Sequence, residues 1–171
     1  ANFGYFTLLM SRIVGPGGRV YAFEPESHAY GLLEETIRLN GLANVTAVKV
    51  AVGDRPGSAR LYIDRVNLGN PSMSEKNIPD RNRAGAEEVD VITLDSYMGD
   101  KKIDVIKIDV QGAEGRAFAG AANTLKRDMP AIITEYWPYG MKNMGTDPEE
   151  FVARFEKLGY ACALMDSRTG A

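Results

Sequence analysis

Lys107-Ile-Asp-Val-Gln-Gly-Ala-Glu114 brings one lysine and two carboxylates to the end of a short apolar run. Phe23-Glu24-Pro25 ends a second apolar run in an acid, 85 residues before Asp109. In an open α/β sheet, ligands sit beyond the carboxyl ends of the parallel strands. Acids at such ends can hold a ligand's hydroxyl groups or receive a proton. Glu24 and Asp109 are therefore candidates for one pocket.

Each residue has a plainer account beside the chemical one. An acid at the place of Glu24 accepts hydrogen bonds from both ribose hydroxyls in nucleoside-binding α/β folds. It can do so because a carboxylate offers two acceptor oxygens. The plainer account is an acid favoured by the dipole of a helix starting near Ser27. Pro25 blocks simple continuation of the strand.

Lys107 and Asp109 are two residues apart on one strand, so they share a face, with Ile106, Ile108 and Val110 on the other. A lysine in a core strand is costly unless paired. It either snorkels at the sheet edge or pairs with Asp109 or with Glu135 from the next strand. Glu135 ends Ala131-Ile-Ile-Thr-Glu135 and projects towards the rim that carries Asp109. Glu114 opens a helix, where a carboxylate is favoured in any case. Trp137 and Tyr139 line a pocket or simply pack.

Other features carry less. Gly4, with Asn2 before it, lets backbone approach a ligand at a helix N-terminus. Gly15-Pro-Gly-Gly18 follows a helix and precedes a strand, the reverse of the dinucleotide fingerprint, so it is a turn. His28 is the only histidine and lies in a polar helix start, which reads as a solvated position. One histidine excludes a zinc site built on imidazoles. Asp109 and Glu135 are the remaining donors for magnesium, and no metal is assigned.

These residues need elements to place them. Apolar spacing predicts helices over 4–14, 27–40, 113–125 and 148–158. Strands are predicted over 19–23, 44–52, 58–64, 88–97, 103–110, 131–136 and 160–165. The alternation predicts an α/β, doubly wound, mostly parallel sheet with helices on both faces. The polar stretch 66–87 is expected to be a mobile insertion on the substrate side of a single domain, 1–171.

Composition narrows the classes. A chain of 171 residues with 44% hydrophobic and 25% charged residues has room for one globular core. A net charge of −3 with scattered lysines and arginines argues against nucleic acid. One cysteine, Cys162, excludes an intramolecular disulfide. No apolar run is long enough to span a bilayer, so no membrane partner is expected and a cytoplasmic location is.

Together these residues resemble the FkbM family of S-adenosylmethionine-dependent methyltransferases, over most of the chain. Ala1-Asn-Phe-Gly-Tyr-Phe-Thr7 looks like the second half of the family's glycine-rich cofactor loop. Phe23-Glu24-Pro25 looks like its ribose-binding acid, and Leu39-Asn-Gly41 like the end of the following helix. Val89 to Asp95 is similar to the strand that ends in Leu-Asp. Lys107 to Glu114 is the most specific piece, and Phe118-Ala-Gly-Ala121 follows it as in the family.

There are three departures. The family's first strand and its Asp-x-Gly belong before Ala1. A closing antiparallel strand belongs after Met165. Gln111 stands where the family usually has an acid. The chain is thus expected to be incomplete at both ends.

The resemblance implies methyl transfer from S-adenosylmethionine, to a hydroxyl oxygen of a small molecule or glycan. It places Asn2 and Gly4 at the methionine part of the cofactor, Glu24 and Pro25 at the ribose, and Val52, Gly53 and Asp54 at the adenine edge. Asp109 sits nearest the methyl, with Lys107 beside it and Glu135 orienting or deprotonating the acceptor. The rivals are a nicotinamide-dependent oxidoreductase, since Glu24 suits any ribose, and a non-catalytic fragment acting as a binding module. An exposed sheet edge would favour pairing with another copy of the chain.

Overall fold

The computed structural model describes residues 1–67 and 71–165. Helices and short strands alternate through it: α1 (Tyr5–Val14), β1 (Val20–Phe23), α2 (Ser27–Leu39), β2 (Val45–Val48), β3 (Ala51–Val52), β4 (Gly57–Asp64), β5 (Arg83–Ile92), α3 (Leu94–Met98), β6 (Val105–Ile108), α4 (Glu114–Ala119), α5 (Ala122–Asp128), β7 (Ala131–Thr134), α6 (Pro138–Asn143) and α7 (Pro148–Lys157). Two single 3₁₀ turns, Glu75–Asn77 and Asp80–Asn82, precede β5. Among the described residues, no helix is long and apolar enough to cross a membrane.

Among the described residues the strands form three small sheets rather than one. β1 and β2 pair in parallel, Val20 with Val45 through Phe23 with Val48. β6 and β7 pair in parallel, Val105 with Ala131 through Ile108 with Thr134. Between these pairs in sequence, β5 is flanked by β3 in parallel and β4 antiparallel. The architecture is mixed α/β with mostly parallel pairing. A continuous doubly wound sheet is not formed among the described residues.

Several expected elements differ for local reasons. The run 44–52 breaks between Val48 and Ala51, because β3 leaves β2 and joins β5 instead. The run 88–97 is strand only to Ile92. Thr93 then caps a helical turn, its side chain accepting from Ser96 N at 3.1 Å. The single helix expected over 113–125 is two, interrupted at Gly120. A Cβ at Gly120 would overlap the carbonyl oxygen of Gly53, so only glycine lets this corner close on β3. Among the described residues, Tyr160 to Met165 pairs with no strand. The expected closing strand after Met165 lies outside the described residues.

Helix starts follow capping chemistry. Glu26 caps α2, its carboxylate accepting from His28 N and Ala29 N. Asp147 caps α7, taking Glu149 N and Glu150 N ahead of Pro148 in the first turn. Asp95 takes the N–H groups of Asn123 and Thr124 and so caps α5 from α3. Burial alone would raise the pKa of Asp95, and these hydrogen bonds outweigh it and hold the group below the usual carboxylate range.

The main core lies on one side of β6 and β7. Leu94, Met98, Phe118, Leu125, Met141, Phe151 and Phe155 are buried there, with Ile106, Ile108 and Ile132 against them. Phe118 and Phe155 meet edge to face at 4.9 Å. Each buried side chain of this size contributes about 2–3 kcal/mol. With Ile106 and Ile108 turned to that core, Lys107 and Asp109 occupy the other face of β6.

Candidate active site

Three strands deliver the acids. β1 ends at Phe23 and is followed by Glu24, β6 at Ile108 by Asp109, and β7 at Thr134 by Glu135. The ladder continues past β6, since Glu135 N donates to Ile108 O at 3.2 Å. Lys107 stands beside Ile133, so the alternation puts Asp109 and Glu135 on one face, as predicted.

Lys107 is a paired lysine. Its Nζ stands 3.2 Å from Asp109 Oδ2 and 4.6 Å above the Phe6 ring of α1. Gln111 Nε2 donates to Asp109 Oδ1 at 2.8 Å, so each oxygen of Asp109 has a donor. Glu135 Oε2 is buried and, among the described residues, has no hydrogen-bond partner. Burial first, then the charges of Asp109 and Glu114, push its pKa up to about 6, while Lys107 pulls the other way. A carboxylate tuned in this way can take a proton near neutral pH.

Glu114 is more than a helix opener. It is fully buried, its Oε1 accepts Val110 N–H at 2.9 Å, and its Oε2 has no partner. Burial raises its pKa, with Asp109 adding to the effect. The spacing carried a signal that sequence reasoning missed. A residue four positions after Val110, beyond Gly112, can fold back to take the Val110 N–H.

The first acid is also buried. Glu24 Oε2 receives the Ala1 nitrogen at 2.9 Å and Asn2 N at 2.6 Å, and Oε1 receives Glu26 N at 3.0 Å. A carboxylate oxygen takes about two hydrogen bonds, which leaves Oε1 with one further position. Asn2 has φ +53 and Gly4 φ +98, and these conformations start α1 beside Glu24. A Cβ at Gly4 would stand 3.0 Å from Leu33 Cδ1, so this glycine also serves the packing of α2. α1 joins the two ends of the site, with Asn2 on Glu24 and Phe6 under Lys107.

The remaining predicted residues lie as follows. Pro25 is half-buried and lines a cleft with Ser27, Lys49 and Glu87. Val52 packs on the main core. Gly53 is buried, its N–H bonded to Ile92 O at 2.8 Å, and Asp54 is exposed. His28 is exposed. The rings of Trp137 and Tyr139 lie 5.9 Å apart, tilted by 45°, and Tyr139 Oη donates to Lys76 O at 3.4 Å. The described part of the 66–87 segment thus abuts α6. Among the described residues, no cluster of three or more acids, histidines and cysteines could hold a metal ion.

Comparison with known proteins gives four likenesses. The model of the methyltransferase FkbM domain matches residues 1–162. The chain is 28% identical to methyltransferase sdnD of Sordaria araneosa over 172 aligned residues, covering 83% of this chain and 66% of that protein. It is 27% identical to methyltransferase 1 of Beauveria bassiana (strain ARSEF 2860) over 137 residues, covering 70% of this chain and 55% of that one. It shares its fold with the crystal structure of methyltransferase FkbM from Methylobacillus flagellatus KT, at a TM-score of 0.60 and 17% identity. That match covers 92% of this chain and 34% of the solved one. The chain therefore spans less than two thirds of each of these proteins.

Proposed function

The chain belongs to the FkbM methyltransferase domain family, and from that membership we propose that it transfers the methyl group of S-adenosylmethionine to a hydroxyl oxygen. The observation that carries the reading is Glu135 Oε2, buried and unpartnered, on the face of β6 and β7 that also holds Lys107 and Asp109. A buried oxygen without a donor is costly unless something brings one. An acceptor hydroxyl is such a donor.

The residues present fit the cofactor. Glu24 Oε1 keeps one acceptor position at the end of β1, where a ribose hydroxyl would bind, and the left-handed Asn2 and Gly4 open the backbone beside it. Bound there, S-adenosylmethionine supplies a sulfonium-activated methyl for in-line attack. The chain itself contributes positioning and proton management. Lys107 and Gln111 hold the two oxygens of Asp109 at the rim. Glu135, ionised above about pH 6, orients the acceptor hydroxyl and takes its proton as the new bond forms.

A small-molecule or glycan acceptor, a cytoplasmic location and association with a second copy of the chain belong to the same proposal. Calorimetric titration with S-adenosylhomocysteine, with NADH as control, tests it. Micromolar binding of the first alone supports methyl transfer, and binding of NADH alone would replace it with hydride transfer. Glu135→Gln should then abolish transfer from labelled S-adenosylmethionine to hydroxyl acceptors while cofactor affinity stays within about 2-fold. Equal loss of both would remove Glu135 from its role.

A further inference from the structure

Gln111 is a half-buried residue with φ +53. Residues other than glycine rarely hold this left-handed conformation, and they keep it where the surroundings over-determine it. Here the restraint comes from the 66–87 segment. The Gln111 carbonyl accepts Asn77 Nδ2 at 2.9 Å and Ser72 Oγ at 3.1 Å. Both donors are buried, Ser72 almost completely. Asn77 Nδ2 also donates to Ser72 Oγ at 3.0 Å, and Asn77 Oδ1 accepts Asn143 Nδ2 from α6 at 2.8 Å. The next residue, Gly112, has φ +96, and a Cβ there would stand 2.5 Å from the carbonyl of Gly140. The turn is closed from both sides.

The side chain of Gln111 leads the other way. Its Nε2 donates to Asp109 Oδ1, opposite the lysine on Oδ2. An acid at position 111 has no proton to donate when ionised, so this contact depends on the amide.

We propose that Gln111 is a positioning residue: the Ser72–Asn77 clamp holds its backbone left-handed, and that backbone aims its amide at Asp109. The segment 72–77 and the Asp109 carboxylate are then set as one unit. Displacing the segment turns Asp109 without touching Glu24. What Asp109 does once positioned rests on the methyl-transfer reading.

Nuclear magnetic resonance of the ¹⁵N-labelled 171-residue chain, without ligand, tests the linkage. In the unaltered chain one Nε2 proton of Gln111 should exchange slowly with solvent. Asn77→Ala should speed that exchange by roughly 5-fold or more, as loss of a restraining hydrogen bond allows. Backbone amides of β1, which is paired with β2, serve as the control and should change by less than about 2-fold. Ser72→Ala removes one of the two donors and should act in the same direction with smaller size, which covers a failure of Asn77→Ala to fold. A Gln111 side chain that responds to neither variant overturns the proposal. S-adenosylhomocysteine titrations of the same samples separate the two ideas. Absence of binding to the unaltered chain sinks methyl transfer and leaves the clamp standing, whereas normal binding with an unresponsive Gln111 sinks the clamp alone.

Discussion

The Lys107 ammonium stands 4.6 Å from the centre of the Phe6 ring, and this contact ties the helix that starts beside Glu24 to the strand that ends at Asp109. Two halves of the site that are distant in sequence share one cation–π pair.

That pair should be measurable. A double-mutant cycle of Phe6→Leu and Lys107→Met is expected to give a coupling of about 0.5–1 kcal/mol in chemical denaturation, the usual range for a partly exposed pair. A coupling of zero would mean the ring and the ammonium are neighbours without mutual attraction, and α1 would be tied to β6 by other contacts.

Glu135 sets a pH dependence with a definite sign. Folding raises its pKa from 4.5 to about 6, so between those values the folded chain binds more protons than the unfolded one. Its contribution therefore favours folding most below pH 4.5 and is lost as pH rises through 6. Solvent screening at this half-exposed site limits the effect to about 1 kcal/mol or less. Glu135→Gln should flatten that part of the stability profile, read as melting temperature from pH 4 to 8. Transfer activity runs the opposite way, with an acid limb near pH 6 in the unaltered chain, because only the ionised form takes a proton.

Glu114 is one of the charges that raise Glu135. Glu114→Gln keeps a carbonyl oxygen for Val110 N–H and removes the charge. Carbon-13 titration of the Glu135 carboxyl should then show its midpoint falling below about 6. An unmoved midpoint would mean that the charge of Glu114 does not act on Glu135.

Two glycines with ordinary backbone angles should behave oppositely. A Cβ at Gly120 would overlap the Gly53 carbonyl, a backbone atom that cannot swing aside, and Gly120→Ala should cost on the order of 3 kcal/mol. Gly31 lies inside α2 with nothing within 4 Å of the added carbon, so Gly31→Ala should stabilise by about 0.5–1 kcal/mol. Equal effects at the two positions would contradict the close approach of α4 and α5 to β3.

Local chemistry explains which parts of this could be read from the sequence. α1, α2, α7 and the apolar runs of β1, β6 and β7 carry their periodicity within themselves, so Glu24, Asp109 and Glu135 could be placed at strand ends, and Lys107 within its strand, without a structure. The break between β2 and β3 has no local mark, because a partner strand forty residues later decides where Ala51 pairs. Gly120 looked like an ordinary residue of one helix, since its reason for being glycine is the distant Gly53 carbonyl. The clamp on Gln111 was illegible for the same cause. Ser72 and Asn77 sit in a polar stretch whose composition suggests a loop and whose partners lie in other elements.

Glu24 is the acid for which the sequence suggested contacts to both ribose hydroxyls. Asn2 N and the Ala1 nitrogen already occupy Oε2, and Glu26 N takes one of the two positions on Oε1. In the 171-residue chain with a free Ala1 amine, one hydroxyl can then reach this carboxylate. Substituting Glu24 would not test the point cleanly, because a glutamine would turn an amide N–H towards these backbone donors and weaken the fold along with the site. Altering the ligand avoids this. Of the 2′-deoxy and 3′-deoxy forms of S-adenosylhomocysteine, one should lose about 10-fold or more in affinity, the range expected for a hydrogen bond to a charged acceptor, and the other less than about 3-fold. Equal large losses would mean that Asn2 or its neighbour releases Oε2 when the cofactor binds, restoring the two-hydroxyl contact. Two small losses would move the ribose away from Glu24 and leave this acid as the anchor of the chain segment that starts α1.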